Sequence, residues 1–309
     1  MAQTANADYI LSCESTVDLP YAYVCGRGIP VLFYSYNVDG VEYPDDMLRD
    51  PQALPRFYQF LADGKLPTTS LINEATYEAF FEEQLAKGDL LHVVFGSGMT
   101  ASIRNAQRAA VTVRQRHPDR RLILVDSLCS SSGYGLLVDN AADLRDSGCS
   151  MEAVEAWLLA NCHRIHHQFY STDLKYFRRS GRVSGAAAMI GSVLNICPLM
   201  RLDDGGRIVA YDKVRGKKNA LRATLDAMEA HAEGGVNYSG KCFISHSNVP
   251  ADAEETRLAI NARFPHIQGG ARVYDIGTII ACHGGFGCSN GCCERRALRA
   301  HGINNSGRR

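Results

Sequence analysis

The chain has 309 residues, with 33 Lys and Arg against 33 Asp and Glu and 46% hydrophobic residues. At about 150 residues per domain, that is room for two cores. Balanced charge excludes a histone-like or polybasic nucleic-acid binder, and the hydrophobic fraction excludes wholesale disorder. Eleven cysteines without paired CxxC motifs fit neither a disulfide scaffold nor a zinc ribbon, so a reducing cytoplasm is the expected setting. The opening MAQTANADYI carries no basic or apolar signal region, and the uncharged stretch 185–200, broken by Asn195 and Pro198, is too interrupted to span a bilayer.

Short apolar runs alternate with helical periodicity, the pattern of an α/β protein with a mostly parallel sheet. Strands are predicted over residues 9–13, 29–34, 90–95 and 122–125. Between them, helices are predicted over 76–87, where Tyr77, Phe80, Phe81 and Leu85 share a face, and over 102–116. Ser150 is a natural N-cap for a helix running through Trp157, and the preceding Asp-Ser-Gly is a turn between halves. Residues 1–155 are therefore assigned to an N-terminal α/β domain with a mostly parallel sheet flanked by helices. Residues 156–290 form a C-terminal α/β domain with a mixed sheet.

In the second half, residues 199–202 and 207–211 flank Asp203, Asp204, Gly205 and Gly206, which predicts an antiparallel hairpin. Helices are expected over 217–232 and 251–263, and strands over 242–245, 271–274 and 278–282. His163, His166 and His167 fall near a helix end and are assigned structural roles. The basic tail, 291–309, is expected to fray.

Three predicted strands end in small polar residues: 12–16, the segment GSGMTA (96–101), and Asp126 with Ser127. In a parallel sheet these ends share the carboxyl edge, where open α/β folds place ligands. GSGMTA also matches GxGxxA, with Asp126 ending the next strand, so a dinucleotide-dependent oxidoreductase is one alternative. A regulatory DNA-binding protein is another. It would rest on residues 175–222, where eleven Lys and Arg face three acids, a local charge of +8; residues 42–89 carry −6. No GxSxG elbow, GxxxxGK[ST] loop or HExxH is present, and the spacing of Cys282, His283, Cys288, Cys292 and Cys293 matches no zinc or iron–sulfur motif, so no metal is expected.

Seven segments in order carry a more specific signal: SCESTVDLP (12–20), PTTS (67–70), GSGMTASIRNA (96–106), LVDS (124–127), LKYFRRSGRVSG (174–185), LNICPLM (194–200) and IGTIIACHGG (276–285). Together they resemble the DegV family of bacterial fatty-acid-binding proteins, over residues 8–288. The resemblance implies a two-domain α/β fold with a long-chain fatty acid, such as palmitate or oleate, in a cleft between the domains. It implies a non-catalytic cytoplasmic carrier that presents the carboxylate to a separate fatty-acid kinase subunit, with no cofactor, no nucleic-acid partner and at most transient membrane contact. By correspondence of motifs, Thr69, Ser97, Thr100 and His283 would bind the carboxylate, and Arg182 would serve the acyl-phosphate step. The family pattern is broken at Gly96, Leu71 and Phe286, which stand in place of its Ser, Gln and Pro.

A buried fatty acid needs hydroxyl donors at one end and apolar lining along the rest. Met189, Ile190, Val193 and Leu194, in the uncharged stretch, are expected to form part of that wall.

Overall fold

The computed structural model describes residues 8–172, 175–184 and 195–294, of which 184, 288–292 and 294 are described as backbone only. The expected wall residues Met189, Ile190, Val193 and Leu194 lie outside these ranges, as does the tail from residue 295.

Strands β1 (Tyr9–Glu14), β2 (Val31–Leu32), β6 (Asp89–Val94) and β7 (Leu122–Asp126) form a parallel sheet in the order β2-β1-β6-β7. Leu11, Cys13, Leu90, Leu91, Val93 and Val94 are all buried, as continuous apolar runs require in a sheet covered on both faces. Helix α4 (Ser102–Arg116) buries Ala106, Ala109, Ala110 and Val113 at helical spacing, and Arg114 and Arg116 complement the dipole in its last turn. Asn73 caps α3 (Glu74–Leu85) by accepting from Thr76 N–H, and Ser150 caps α6 (Met151–Asn161) by accepting from Ala153 N–H.

A small antiparallel sheet, order β4-β3-β5, lies beside the first: β3 (Ser35–Val38), β4 (Val41–Pro44) and β5 (Thr68–Thr69). All strands of the second large sheet follow α6. That sheet is mixed and seven-stranded, order β13-β12-β14-β8-β10-β11-β9. It comprises β8 (Ile165–Ser171), β9 (Val183–Ser184), β10 (Ile196–Leu202), β11 (Ile208–Arg215), β12 (Phe243–His246), β13 (Arg272–Asp275) and β14 (Cys288–Glu294). The α/β class, with a parallel sheet before α6 and a mixed sheet after it, is as expected. Between the sheets runs α5 (Ser131–Asp146), and one apolar cluster continues from Leu11 through Tyr134 to Phe243 and Ile276. Lys241 reinforces the join, its Nζ 2.5 Å from Asp139 Oδ2.

Four expectations need correction. Residues 278–282 are helical, within Thr278–Gly284, although Thr278, Ile279 and Ile280 are β-branched. The segment is buried on several sides, so continuous apolarity imitates a core strand, and tertiary packing overrides propensity. The strand expected over 29–34 shrinks to Val31–Leu32. His166 and His167 lie within β8 rather than at a helix end. The expected frayed tail begins too early, because Gly291 to Glu294 pair with β8 in the sheet.

Candidate functional site

The parallel sheet presents its carboxyl edge to the second half of the chain. There, the loop after β6 carries GSGMTA, in which Met99 N–H donates to Gly96 O at 2.9 Å. A Cβ at Gly96 would sit 2.6 Å from Cys129 O, so the loop is pressed against the loop that follows β7. A Cβ at Gly98 would overlap the backbone of Gly205 and Gly206, the turn of the β10–β11 hairpin. That turn takes the space a pyrophosphate needs in a GxGxxA loop, and Asp126 Oδ1 is engaged by Ser97 N–H and Leu128 N–H, both at 3.0 Å. The dinucleotide alternative therefore finds its glycine and its acid both committed to the fold.

Beside this loop is a cavity of about 350 Å³. The structure brings four of the five expected polar residues to its lining: Thr69, Thr100, Arg182 and His283. Ser97 is exposed at the loop tip, outside that lining. Thr69 reaches the cavity because β5 pairs with β3, Tyr36 opposite Thr69, leaving Thr68 outward. His283 comes from the helix Thr278–Gly284, and its Nε2 lies 2.9 Å from Thr69 Oγ1. Burial first, then the charges of Arg182 and Arg179, push the His283 imidazole down to about 4, so it is neutral at pH 7. Thr100 Oγ1 accepts from Ser102 N–H at 3.2 Å and lies 3.0 Å from Ser102 Oγ, at the start of α4.

Arg182 donates to Ser180 O at 2.7 Å while lining the cavity. Sequence reasoning missed its neighbour Arg179. That guanidinium donates to Pro67 O at 3.0 Å and Cys282 O at 3.1 Å, fastening β5 to the His283 helix, and its cation lies 5.3 Å from the Tyr176 ring centroid. Its only sequence signal was the Arg-Arg pair in KYFRRSGR.

The rest of the lining is largely apolar, including Phe95, Phe177, Ile208, Ile279 and Ile280. A smaller inner chamber of about 40 Å³ shares Ser130, Phe177, Ile208 and Ile280 with the first and extends toward Phe169, Leu202 and Ile276. The first cavity combines hydroxyls and an imidazole with apolar side chains, and the adjoining inner chamber is mostly apolar, with Ser131, Ser247 and His167 as further polar side chains. A larger open groove of about 640 Å³ beside α2 (Ala53–Ala62) contains none of the expected site residues.

Beneath the cavity, Glu14 is fully buried and accepts from Tyr34 OH at 3.1 Å and Phe95 N–H at 2.9 Å, and also from Tyr77 OH. Burial first, then the nearby Glu14, raises the Tyr34 phenol well above its usual value, so it stays a donor. Ser12 Oγ, 2.7 Å from His92 Nδ1, and Glu14 Oε1, 3.5 Å from His92 Nε2, imitate a hydrolase triad. All three residues are 0% exposed, which denies a substrate access to Ser12. Among the described residues, no group of three His, Cys, Asp or Glu side chains is arranged to hold a metal, and no helix is long and apolar enough to cross a membrane.

Residues 11–290 match the profile described as "Uncharacterised protein, DegV family". A DegV domain-containing protein of Clostridium perfringens is 30% identical over 282 residues, covering 90% of this chain and 94% of the relative. The solved structure of a fatty-acid-binding DegV family protein from Thermus thermophilus superimposes with a TM-score of 0.82 at 26% identity, covering 94% of this chain and all of that one. DegV of Bacillus subtilis, described as a fatty acid binding protein, shares the fold with a TM-score of 0.78 at 22% identity, covering 94% of this chain and 100% of its own.

Proposed function

This chain belongs to the DegV family, and we propose that it is a carrier that binds a long-chain fatty acid between its N-terminal part, residues 1–155, and its C-terminal part, residues 156–290. The observation that carries this reading is the amphipathic cavity, whose lining combines Thr69, Thr100 and His283 with Phe177, Ile208 and Ile280. Its size falls in the range of ordinary small-molecule pockets. About 15 buried methylenes at roughly 0.8 kcal/mol each give about 12 kcal/mol of gross driving force, before ordering costs. An unpaired carboxylate would cancel several kcal/mol, which the neutral donors offset.

Neutral donors also suit a carboxylate that must react. Presented at the cavity mouth, it attacks the γ-phosphorus of ATP held by a separate kinase, ADP leaves, and the acyl phosphate forms. A fixed salt bridge would hold the nucleophilic oxygen back, whereas a neutral imidazole and hydroxyls leave its charge available. Arg182, on the same lining, then meets the new phosphate. The cytoplasm is the compartment consistent with this partner, and Ser97, at the exposed tip, would contact the kinase side of the head group.

Native mass spectrometry of the protein purified from bacteria tests the binding. An added mass in the fatty-acid range is expected; a ligand-free chain that also fails to take up oleate would overturn the reading. Phosphate transfer is tested separately, by adding ATP and a fatty-acid kinase to the oleate-loaded protein and assaying acyl phosphate.

A further inference from the structure

At the N-terminal end of the helix Thr278–Gly284, two carboxylates are buried together. Asp18 is 5% exposed and Asp45 is 2% exposed. Both line a separate cavity of about 120 Å³, with Ser15, Tyr274 and Asp275 supplying its other polar side chains. A Cβ placed on Gly277 would lie 2.8 Å from Asp18 Oδ1 and 3.6 Å from Asp45 Oδ1, so both carboxylates pack against the same glycine.

Their hydrogen bonds are incomplete. Asp18 accepts from Gly277 N–H at 3.0 Å and from Ser131 Oγ at 2.5 Å. Asp45 Oδ1 accepts from Thr278 Oγ1 at 3.0 Å, but Asp45 Oδ2 is buried without a hydrogen-bond partner. Ser15 and the Met47 backbone also act on the Asp45 carboxyl as hydrogen-bonding groups, without reaching full geometry at Oδ2. The neighbouring charges that bear on the pair come from Asp275 and Asp46, both negative. A buried carboxylate oxygen with neither donor nor cation costs several kcal/mol in proteins generally, and such a group is completed by whatever positive species fits its cavity.

We infer that Asp18 and Asp45 form a binding site for a hard divalent cation of the Mg²⁺ or Ca²⁺ class. The polar side chains of the cavity offer oxygen alone, which suits hard ions and gives no imidazole or thiolate for softer metals. Two carboxylates with water completing the shell is a normal arrangement for Mg²⁺, and Asp275, 47% exposed, adds negative charge at the rim. The same carboxylates hold Gly277, Thr278 and Ser131, so a bound ion braces both the helix that carries His283 and the start of α5.

The test is calorimetric titration of chelator-stripped protein with MgCl₂ and with CaCl₂ at pH 8, on the wild type and on Asp45→Asn and Asp18→Asn. Saturable binding of one ion per chain is expected, weakened at least tenfold in each variant. Asn preserves shape at both positions and tolerates the left-handed backbone of Asp18, φ 49°. The thermal midpoint of each ion-free variant confirms folding, and should Asp18→Asn fail to fold, Asp45→Asn decides alone. Absence of saturable binding by either ion, or wild-type affinity in a folded Asp45→Asn, would overturn the inference. Neither outcome depends on whether the fatty-acid cavity is occupied.

Discussion

Thr69 Oγ1 stands 2.9 Å from His283 Nε2, although 214 positions separate the two residues in the chain. The contact joins the small antiparallel sheet to a helix of the C-terminal half and sets two polar groups in the lining of a largely apolar cavity. Replacing Thr69 and Thr100 together by Val keeps the side-chain shape and removes both hydroxyls. A hydrogen bond to a charged group is worth roughly 1.5–3 kcal/mol, so each lost contact to a carboxylate should weaken oleate binding about 10- to 100-fold. Fluorescence titration of the delipidated double variant checks this; unchanged affinity in a folded protein would put the carboxylate elsewhere.

Arg179 fastens the two sides of that contact through Pro67 O and Cys282 O. Arg179→Met should lower stability by about 1–2 kcal/mol, because hydrogen bonds from a charged donor are lost at a partly solvated site. It should also raise the His283 pKa by removing one of the charges that depress it. Denaturant titration and histidine NMR measure these separately, and Arg179→Lys, which keeps the positive charge, should restore the depressed pKa.

His283 titrates near 4 in the folded chain, against about 6.5 when unfolded. Between those values the unfolded state binds the extra proton, so this residue makes stability fall as pH drops from about 6.5 toward 4, and is without effect above that window. His283→Gln should therefore gain stability relative to wild type at pH 5 compared with pH 7.5. Equal pH dependence of the two proteins would contradict a buried neutral imidazole.

Much of the frame was legible in the residues. The helix over 102–116 emerges at its predicted bounds because its alanines recur at helical spacing, and the Asp203–Gly206 turn joins the antiparallel pair it announced. Thr278 to Cys282 misled because three β-branched residues in an apolar run look alike whether the core surrounds a strand or a short helix. Thr69, Thr100, Arg182 and His283 were singled out through motifs, and all four line one cavity. Arg179 and the Asp18–Asp45 pair were missed because their significance lies in contacts with residues far along the chain, which no local spacing encodes.

Gly98 packs against the hairpin turn of Gly205 and Gly206 so closely that a methyl group has no room. Gly98→Ala should cost about 1–3 kcal/mol through backbone displacement and weaken oleate binding by shifting Thr100. Guanidinium melts paired with binding titrations read both effects. A neutral Gly98→Ala would mean that the loop and the hairpin move independently.

Gly284 lines the inner chamber, where an added Cβ would meet Phe177 Cζ at 3.5 Å, an ordinary contact. Gly284→Val should therefore fold, yet fill a chamber of only about 40 Å³. Competition binding should show 18-carbon acids losing affinity relative to 14-carbon acids, with a uniform loss across lengths counting against a chain terminus in that chamber.

The most direct measurement is the crystal structure of the oleate-loaded protein. The carboxylate is predicted to lie within about 3 Å of the Thr69 and Thr100 hydroxyls, with the chain running past Phe177 toward Ile276. A carboxylate at the Ser131 and Ser247 end, or a ligand seated in the open groove beside Tyr58 and Phe286, would contradict the account.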